Sequence, residues 1–405
     1  MTTDIPAGAA VVAQSGGPTA VINQSLVGVV AGLRPALESG LITRVYGARH
    51  GVRGMIEDSF VDLGAYPPET LEAVGATPSA ALGSTRDKPD AAYCARIVES
   101  LKKRDARFLF YIGGNDSSDT CRIVSETARR EGHDIRCFHV PKTIDNDLKM
   151  NDHTPGFPSA ARFVATAFMG DDLDNRAIPG IKINIVMGRH AGFLTGASAL
   201  ARTREGDGPH VVCLPETPFD LDAFTAAVEG AYREHGRCLV AVSEGVQNAA
   251  GEPIAVALSS VERERDAHGN VQLSGVGALG DLLSEHLKKA LASKGGKPPR
   301  VRADTFGYMQ RYWPDPSPVD ACEARGVGAF AAACALEGKE HGSVAIVRAS
   351  SEPYKAAFEL VQLTDVAAKT RHMDPAFIGE GFDVTPAYLE YLRPLVGTLP
   401  GFARL

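Results

Sequence analysis

"RFLFYIGGNDSSDT", residues 107–120, reads as a buried strand, a paired-glycine turn and the start of a polar helix. Its apolar run does not alternate, so both faces of the strand are covered; a sheet with one wet face would place polar residues at every second position. The same grammar recurs at "AAVVAQ" (9–14), "IRCFHV" (135–140), "IKINIVM" (181–187), "HVVCLP" (210–215), "RCLVAVS" (237–243) and "SVAIVR" (343–348). Helix-like stretches at 88–104, 117–131, 158–173, 190–203, 220–235, 275–293 and 319–337 lie between or after these runs. Alternation of this kind specifies an α/β fold with mostly parallel, doubly wound sheets flanked by helices. Ligands in such folds bind beyond the carboxyl ends of the strands. That rule selects the turns "QSGGPT", "IGGNDS", "VPKTIDND", "VMGRHAG" and "VSEGV", which carry most of the chemically loud residues.

The 405 residues are enough for two α/β lobes. A net charge of −7 gives no basic excess to recommend nucleic acid or an anionic membrane as partner. No apolar run reaches the ~18 residues of a membrane span, and "MTTDIPAGAAVV" lacks the marks of a signal peptide. Seven scattered cysteines without a C-x-x-C pair read as buried packing thiols of a cytoplasmic protein. "SKGGKPPR" (293–300) and "YWPDPSP" (312–318) read as loops. Histidines 139, 190 and 210 follow no metal-ligand spacing.

"AQSGGPT" places Gly16 and Gly17 after a strand, with Pro18 expected in the first helical turn, where a missing N–H costs nothing. Side-chain-free residues there let an anion approach backbone N–H groups. "YIGGNDSSDT" repeats the design with Gly114, and Ser117 or Ser118 is expected to cap the next helix. Asp116, beside paired glycines, is odd in a phosphate-holding turn. Arg86 in "ALGSTRDKP" suits a phosphate oxygen. "PKTIDND" gathers Lys142, Thr143, Asp145 and Asp147: an ammonium, a hydroxyl and two carboxylates within six residues. One carboxylate can take a proton from an alcohol while the other helps hold Mg²⁺, and the lysine can screen a transferring phosphoryl group.

"GGND", "PKTIDND", "MGRHAG", "SEG" and "FGYMQR" occur in this order, and together they resemble the phosphofructokinases from Gly16 to about Arg325. The resemblance implies a fold of two lobes, each with a mostly parallel sheet flanked by helices. Residues 1–150 would form the donor-binding lobe and 151–330 the sugar-phosphate lobe, with 331–405 packing back across both. It implies Mg²⁺-dependent transfer of phosphate to the 1-hydroxyl of fructose 6-phosphate. Asp145 then matches the proton acceptor, with Thr143, Ile144 and Asp147 beside it. Met187, Gly188 and Arg189 match the sugar-phosphate turn, and Glu244 a grip on sugar hydroxyls. Arg302 and Arg311 match the pair on the 6-phosphate, with Tyr308, Met309 and Gln310 between them. Asn115 and Asp147 are the expected Mg²⁺ contacts, Asn115 standing where relatives often carry Asp. Gly180 stands where many relatives carry an arginine, for which Lys182 is a possible substitute.

In ATP-using members that look like this, the positions of Asp116 and Lys142 are glycine; in pyrophosphate-using members they are Asp and Lys. A carboxylate in the volume of a nucleotide α-phosphate adds clash and repulsion, and a lysine compensates for the contacts a short donor lacks. The resemblance therefore points to a reversible, pyrophosphate-dependent enzyme of glycolysis and gluconeogenesis, a homodimer or tetramer. The competing readings are an ATP-dependent phosphofructokinase and a non-catalytic sugar-phosphate-binding regulatory subunit. A dehydrogenase fails for want of the dinucleotide fingerprint.

Overall fold

The computed structural model describes residues 5–258, 278–292 and 299–404. The start of "MTTDIPAGAAVV", the ends of the expected 275–293 helix and most of "SKGGKPPR" lie outside them. The chain divides into two units: residues through Ser159 with Arg311–Arg371, and Ala160–Gln310 with residues from His372 onward. The first division falls in the opening turn of the helix Phe157–Ala177, nine residues beyond the expected boundary at 150. The expected C-terminal segment 331–405 contributes to both units.

In the first unit, β1 (Gly8–Gln14), β2 (Ile42–Ala48), β3 (Phe60–Asp62), β4 (Ala106–Gly113) and β5 (Arg136–Pro141) belong to one sheet. After four strands that belong to the second unit, β10 (His341–Ser351) and β11 (Tyr354–Val361) complete it, in the order β11-β10-β5-β4-β1-β2-β3. Pairings from β10 to β2 are parallel, and the two edge strands are antiparallel. Non-alternating strands bury both faces here. Val12, Phe108, Phe110, Ile112 and Phe138 join one core, while Val11, Leu109, Tyr111 and Cys137 join another. Each fully buried phenylalanine contributes about 2–3 kcal/mol of transfer free energy.

The second unit holds β6 (Ile181–Val186), β7 (Val211–Cys213), β8 (Cys238–Ser243) and β9 (Val301–Thr305), all parallel in the order β7-β8-β6-β9. The helices Leu221–His235 and Ala278–Ala292 supply Phe224, Val228, Leu283 and Leu287 to its core.

The seven strands read from sequence all form. Those not read in these two sheets (β2, β3, β9 and β11) include each of their edges except β7, and their half-exposed residues break the apolar run. Helix Ile22–Glu38 was also hidden, because Gly28, Gly32 and Pro35 look like breakers. The glycines permit close packing: a Cβ at Gly28 would overlap the Arg325 carbonyl of the helix Pro318–Leu336. The expected 190–203 helix is shorter, an α-turn at Phe193–Ala197 passing into a 3₁₀ turn at Ser198–Ala201. Among the described residues no helix is long and apolar enough to cross a membrane. Six cysteines are buried free thiols; Cys322 is exposed, against expectation, on the outer face of its helix.

Candidate active site

Strand register brings three loops of the first unit to one sheet edge. Gln14 pairs with Ile112, and Gly113 with Pro141, so the chains leaving β1, β4 and β5 emerge side by side. They carry Gly16 and Gly17, then Gly114 to Asp116, then Lys142 to Asp147.

Gly16 has φ +73°, a conformation open to glycine, and its N–H donates to the Thr85 carbonyl at 2.9 Å. Ser84 Oγ donates to the Gly16 carbonyl at 2.6 Å. The loop that bears exposed Arg86 is thereby tied to the glycine turn. Lys142 lies beneath this turn, 3% exposed, and its Nζ donates to the Gly17 carbonyl at 2.8 Å. Burial holds its ammonium down at about 8; the Arg311 and Arg86 charges push the same way, and Asp145 and Asp147 oppose them. These charges share one neighbourhood. Arg311 belongs to it: a Cβ at Gly17 would overlap its guanidinium. The structure thus carries Arg311 on the first unit and Arg302 on edge strand β9 of the second.

Two helix expectations are corrected. The helix after the Gly16–Gly17 turn begins at Ile22, not at Pro18, because tertiary bonds hold the intervening chain: Thr19 O accepts from Ser79 N at 3.0 Å. The helix Asn115–Arg130 begins before the serines, with Gly114 at its N-cap and no side-chain cap. Ser117 instead meets Ser15 Oγ, and Ser118 Oγ donates to the Asn115 carbonyl at 2.8 Å. Asp116 therefore occupies the first helical turn, where the helix dipole favours an anion. Its side chain is 57% exposed and pairs with Lys88 at 3.1 Å.

The loop Thr143–Asp147 turns through Asn146, buried and left-handed at φ +59°. Asparagine tolerates that region better than most residues. The Thr143 hydroxyl accepts from Asp145 N at 3.1 Å and donates to the Asp147 carboxylate, so it sets both acids. Ile144 between them is buried. Thr143 N donates to the Pro155 carbonyl at 3.1 Å, and Arg371 N to the Asp147 carbonyl at 2.7 Å. Asp147 is pushed up to about 7, chiefly by burial and then by the Asp145 charge. Asp145 Oδ1 is likewise shielded from solvent.

Mg²⁺ prefers hard oxygen ligands and keeps several waters, so one or two protein oxygens suffice. Asn115 Oδ1 is a buried carbonyl oxygen with no hydrogen-bond partner among the described residues. Asp147 is a carboxylate that a nearby cation would relieve. Both residues fit the ion. Among the described residues no group of three or more His, Cys, Asp or Glu gathers for a metal.

In the second unit, Val186 pairs with Ser243 and Ile185 with Thr305, so the turns after β6, β8 and β9 share one edge. Gly188 has φ +129°, and a Cβ there would stand 2.6 Å from the Ala191 carbonyl. Ser243 Oγ donates to the Gly188 carbonyl at 2.6 Å and accepts from Gly245 N at 3.1 Å. A Cβ at Gly245 would overlap the Arg189 carbonyl. Glu244 is buried beside them, its N–H donating to the Val186 carbonyl at 2.9 Å. Gln310 is buried and accepts from Met187 N at 3.2 Å while donating to Gly307 O at 2.9 Å; its amide shapes the turn. Tyr308, Met309 and Arg302 are exposed. Lys182 is engaged with Asp171 at 2.7 Å and Asp304 at 3.4 Å, which leaves it a poor substitute for a free arginine.

His139 donates Nε2–H to Gly113 O at 2.9 Å and accepts at Nδ1 from Ser343 Oγ at 2.8 Å. Burial lowers it to about 4, as it does His210. Both are neutral packing residues, and His190 is exposed. Sequence reading missed Ser84, Thr85 and Ser243, whose hydroxyls and carbonyls shape the glycine turns; small polar residues next to such turns were the available signal.

Comparison with known proteins agrees with this layout. Residues 9–335 match the phosphofructokinase family. A relative from Rhodospirillum rubrum, named pyrophosphate–fructose 6-phosphate 1-phosphotransferase, is 55% identical over 96% of this chain and 94% of its own. One of the same name from Halomonas elongata is 36% identical over 95% and 90%. A crystal structure of a pyrophosphate-dependent phosphofructokinase from Marinobacter aquaeolei superposes with TM-score 0.84 at 33% identity, covering 98% of this chain and 94% of that one. With ordered motifs, register and two parallel-sheet units all in accord, the chain belongs to the phosphofructokinase family.

Proposed function

We infer that the chain transfers a phosphoryl group from pyrophosphate to the 1-hydroxyl of fructose 6-phosphate, giving fructose 1,6-bisphosphate and orthophosphate. The observation that carries this reading is Lys142, an ammonium buried under the Gly16–Gly17 turn among Arg86 and Arg311. An ATP site has no need of a lysine in that space, whereas a two-phosphate donor without a nucleoside needs the added cation. Relatives of 55% and 36% identity bear names of the same activity.

In this mechanism Asp145 accepts the proton of the 1-hydroxyl as its oxygen bonds the distal phosphorus. The bridging P–O bond breaks, and its electron pair leaves on orthophosphate. Lys142, with Arg86, offsets charge on the donor. Thr143 aligns Asp145 and Asp147. Mg²⁺, held through Asn115 and Asp147, would supply further charge neutralisation on the donor oxygens. Met187, Gly188, Arg189 and Glu244 hold the sugar; Arg302 and Arg311 are its 6-phosphate residues by resemblance, Arg302 standing opposite Lys182 at the start of β9 and Arg311 beside the Gly16–Gly17 turn. Tyr308 and Met309 cover it, with Gln310 setting the turn. Pyrophosphate and the sugar ester differ modestly in transfer energy, so the reaction runs both ways. The enzyme works in the cytoplasm as a homodimer or tetramer.

The test is a donor comparison with purified protein, fructose 6-phosphate and Mg²⁺. Pyrophosphate should support turnover, and ATP and polyphosphate at most a trace; preference for ATP would overturn the donor assignment. Turnover from fructose 1,6-bisphosphate and orthophosphate at blank level would remove reversibility. Asp145→Ala should abolish turnover while sugar binding persists; retained turnover would remove the proton acceptor.

A further inference from the structure

We propose that Glu216 is a positioning residue for the sugar phosphate, through which the C-terminal segment from His372 onward fixes the turn bearing Met187, Gly188 and Arg189. The proposal rests on the reading of that turn as the sugar-phosphate site.

Glu216 leaves the carboxyl end of β7, at the sheet edge from which Met187 and Glu244 emerge. Its Oε1 accepts two backbone N–H groups, from Gly192 at 2.9 Å and from Met373 at 3.1 Å. One atom thereby joins the far end of the "MGRHAG" turn to a segment remote in sequence. The carboxylate is packed against Gly192, where a Cβ would stand 2.7 Å from Oε2. Oε2 is buried, with no hydrogen-bond partner among the described residues. A carboxyl group is costly to bury in this way unless its hydrogen bonds matter.

Two further bonds join the same partners. His372 Nδ1 donates to the His190 carbonyl at 2.9 Å. The fully buried Tyr388 donates its hydroxyl to the Phe193 carbonyl. The turn is thus fixed at one end by Ser243 on Gly188, and at the other by Glu216, His372 and Tyr388. Residues from 372 onward lie beyond the 9–335 that match the family, so the buttress comes from outside that stretch. A guanidinium must be held within a fraction of an ångström to bind a phosphate ester productively. Loosening the Gly192 end should therefore weaken sugar-phosphate binding and leave the donor end, on the other unit, alone.

The experiment measures KM for each substrate, thermal midpoint, and calorimetric binding of fructose 6-phosphate without donor, in wild type, Glu216→Ala, Glu216→Gln, Tyr388→Phe and His372→Ala. Glu216→Ala should raise the sugar KM and weaken sugar binding by ~10-fold or more, with the pyrophosphate KM within about twofold. Glu216→Gln keeps an oxygen acceptor and should restore sugar KM to within about threefold of wild type. Tyr388→Phe should move sugar KM in the same direction as alanine. A folded Glu216→Ala with unchanged sugar KM overturns the proposal, as does an equal rise in both KM values with a fallen midpoint. Should Glu216→Ala fail to fold, an unchanged sugar KM in both Tyr388→Phe and His372→Ala overturns it. Wild-type protein that fails to bind or phosphorylate fructose 6-phosphate defeats the functional reading itself, and is distinguishable because it precedes any variant.

Discussion

Lys142→Met should cost most of the pyrophosphate activity, and Asp116→Gly should change ATP use only slightly; the two sizes follow from where each charge sits. The Lys142 ammonium is buried, donates to Gly17 O at 2.8 Å, and lies among charges that leave its ammonium already expensive to hold. An anionic phosphoryl oxygen at ~4 Å would attract it by about 4 kcal/mol at an effective dielectric near 20. Arg86 and Arg311 remain in the variant and offset part of the loss. A net ~3–4 kcal/mol corresponds to a fall of ~10²–10³ in kcat/KM for pyrophosphate. Asp116 is 57% exposed and paired with Lys88, so its repulsion acts through something closer to water. There the same separation gives only about 1 kcal/mol. Asp116→Gly alone should therefore raise kcat/KM for ATP by no more than ~10-fold, through relieved volume and that small repulsion. Steady-state kinetics with both donors at fixed fructose 6-phosphate decide it. A loss under tenfold for Lys142→Met, or a thousandfold ATP gain from Asp116→Gly alone, would refute the reasoning.

Three other outcomes are expected. Because Lys142 titrates near 8 in the free protein, kcat/KM for pyrophosphate should fall as pH rises through about 8, whereas kcat, which reports the donor complex, should fall at higher pH. The same depressed value means that the site weakens folding fully below about 8, an effect that fades as pH rises toward the unfolded value of 10.5. A limb that follows only the titration of free pyrophosphate would remove Lys142 from it. Asp147, raised to about 7, should produce an acid limb that moves to lower pH as Mg²⁺ is added, read from rate profiles at several Mg²⁺ concentrations; a limb indifferent to Mg²⁺ removes Asp147 from the metal. Gly245→Ala forces a Cβ into the Arg189 carbonyl, so sugar KM should rise ~10-fold or more while pyrophosphate KM holds, and equal values for both would deny the packing argument.

How much of this was legible in sequence depended on whether a residue's neighbours were local. Central strands such as "RFLFYI" read correctly because burial on both faces writes itself into the run. Edge strand β9, "VRADT", pairs on one side only and alternates with exposed residues, so it shows no such run. "PKTIDND" was legible because its reacting groups sit within six residues. Ser117 and Pro18 were misread because their positions are decided by Ser15 and Ser79, about a hundred and about sixty residues away. Glu216 was invisible for the same reason: the bonds that matter run to Gly192 and Met373.

Asp116 shows where charge pattern alone misleads. A carboxylate beside two glycines invites an explanation as an electrostatic exclusion of nucleotides. The structure gives it a second reason to exist, since the first turn of a helix favours an anion whatever the ligand. Exposure and Lys88 then weaken its field, and neither can be read from residues 111–120. Lys142 has no such alternative comfort: burial pushes against its charge, and its ammonium donates to a carbonyl of the glycine turn itself. A cation maintained at that expense is understandable if a dense anion comes to lie beside it. Donor choice in this chain should thus depend more on the buried lysine that makes a small inorganic donor workable than on the acid that keeps a larger one out.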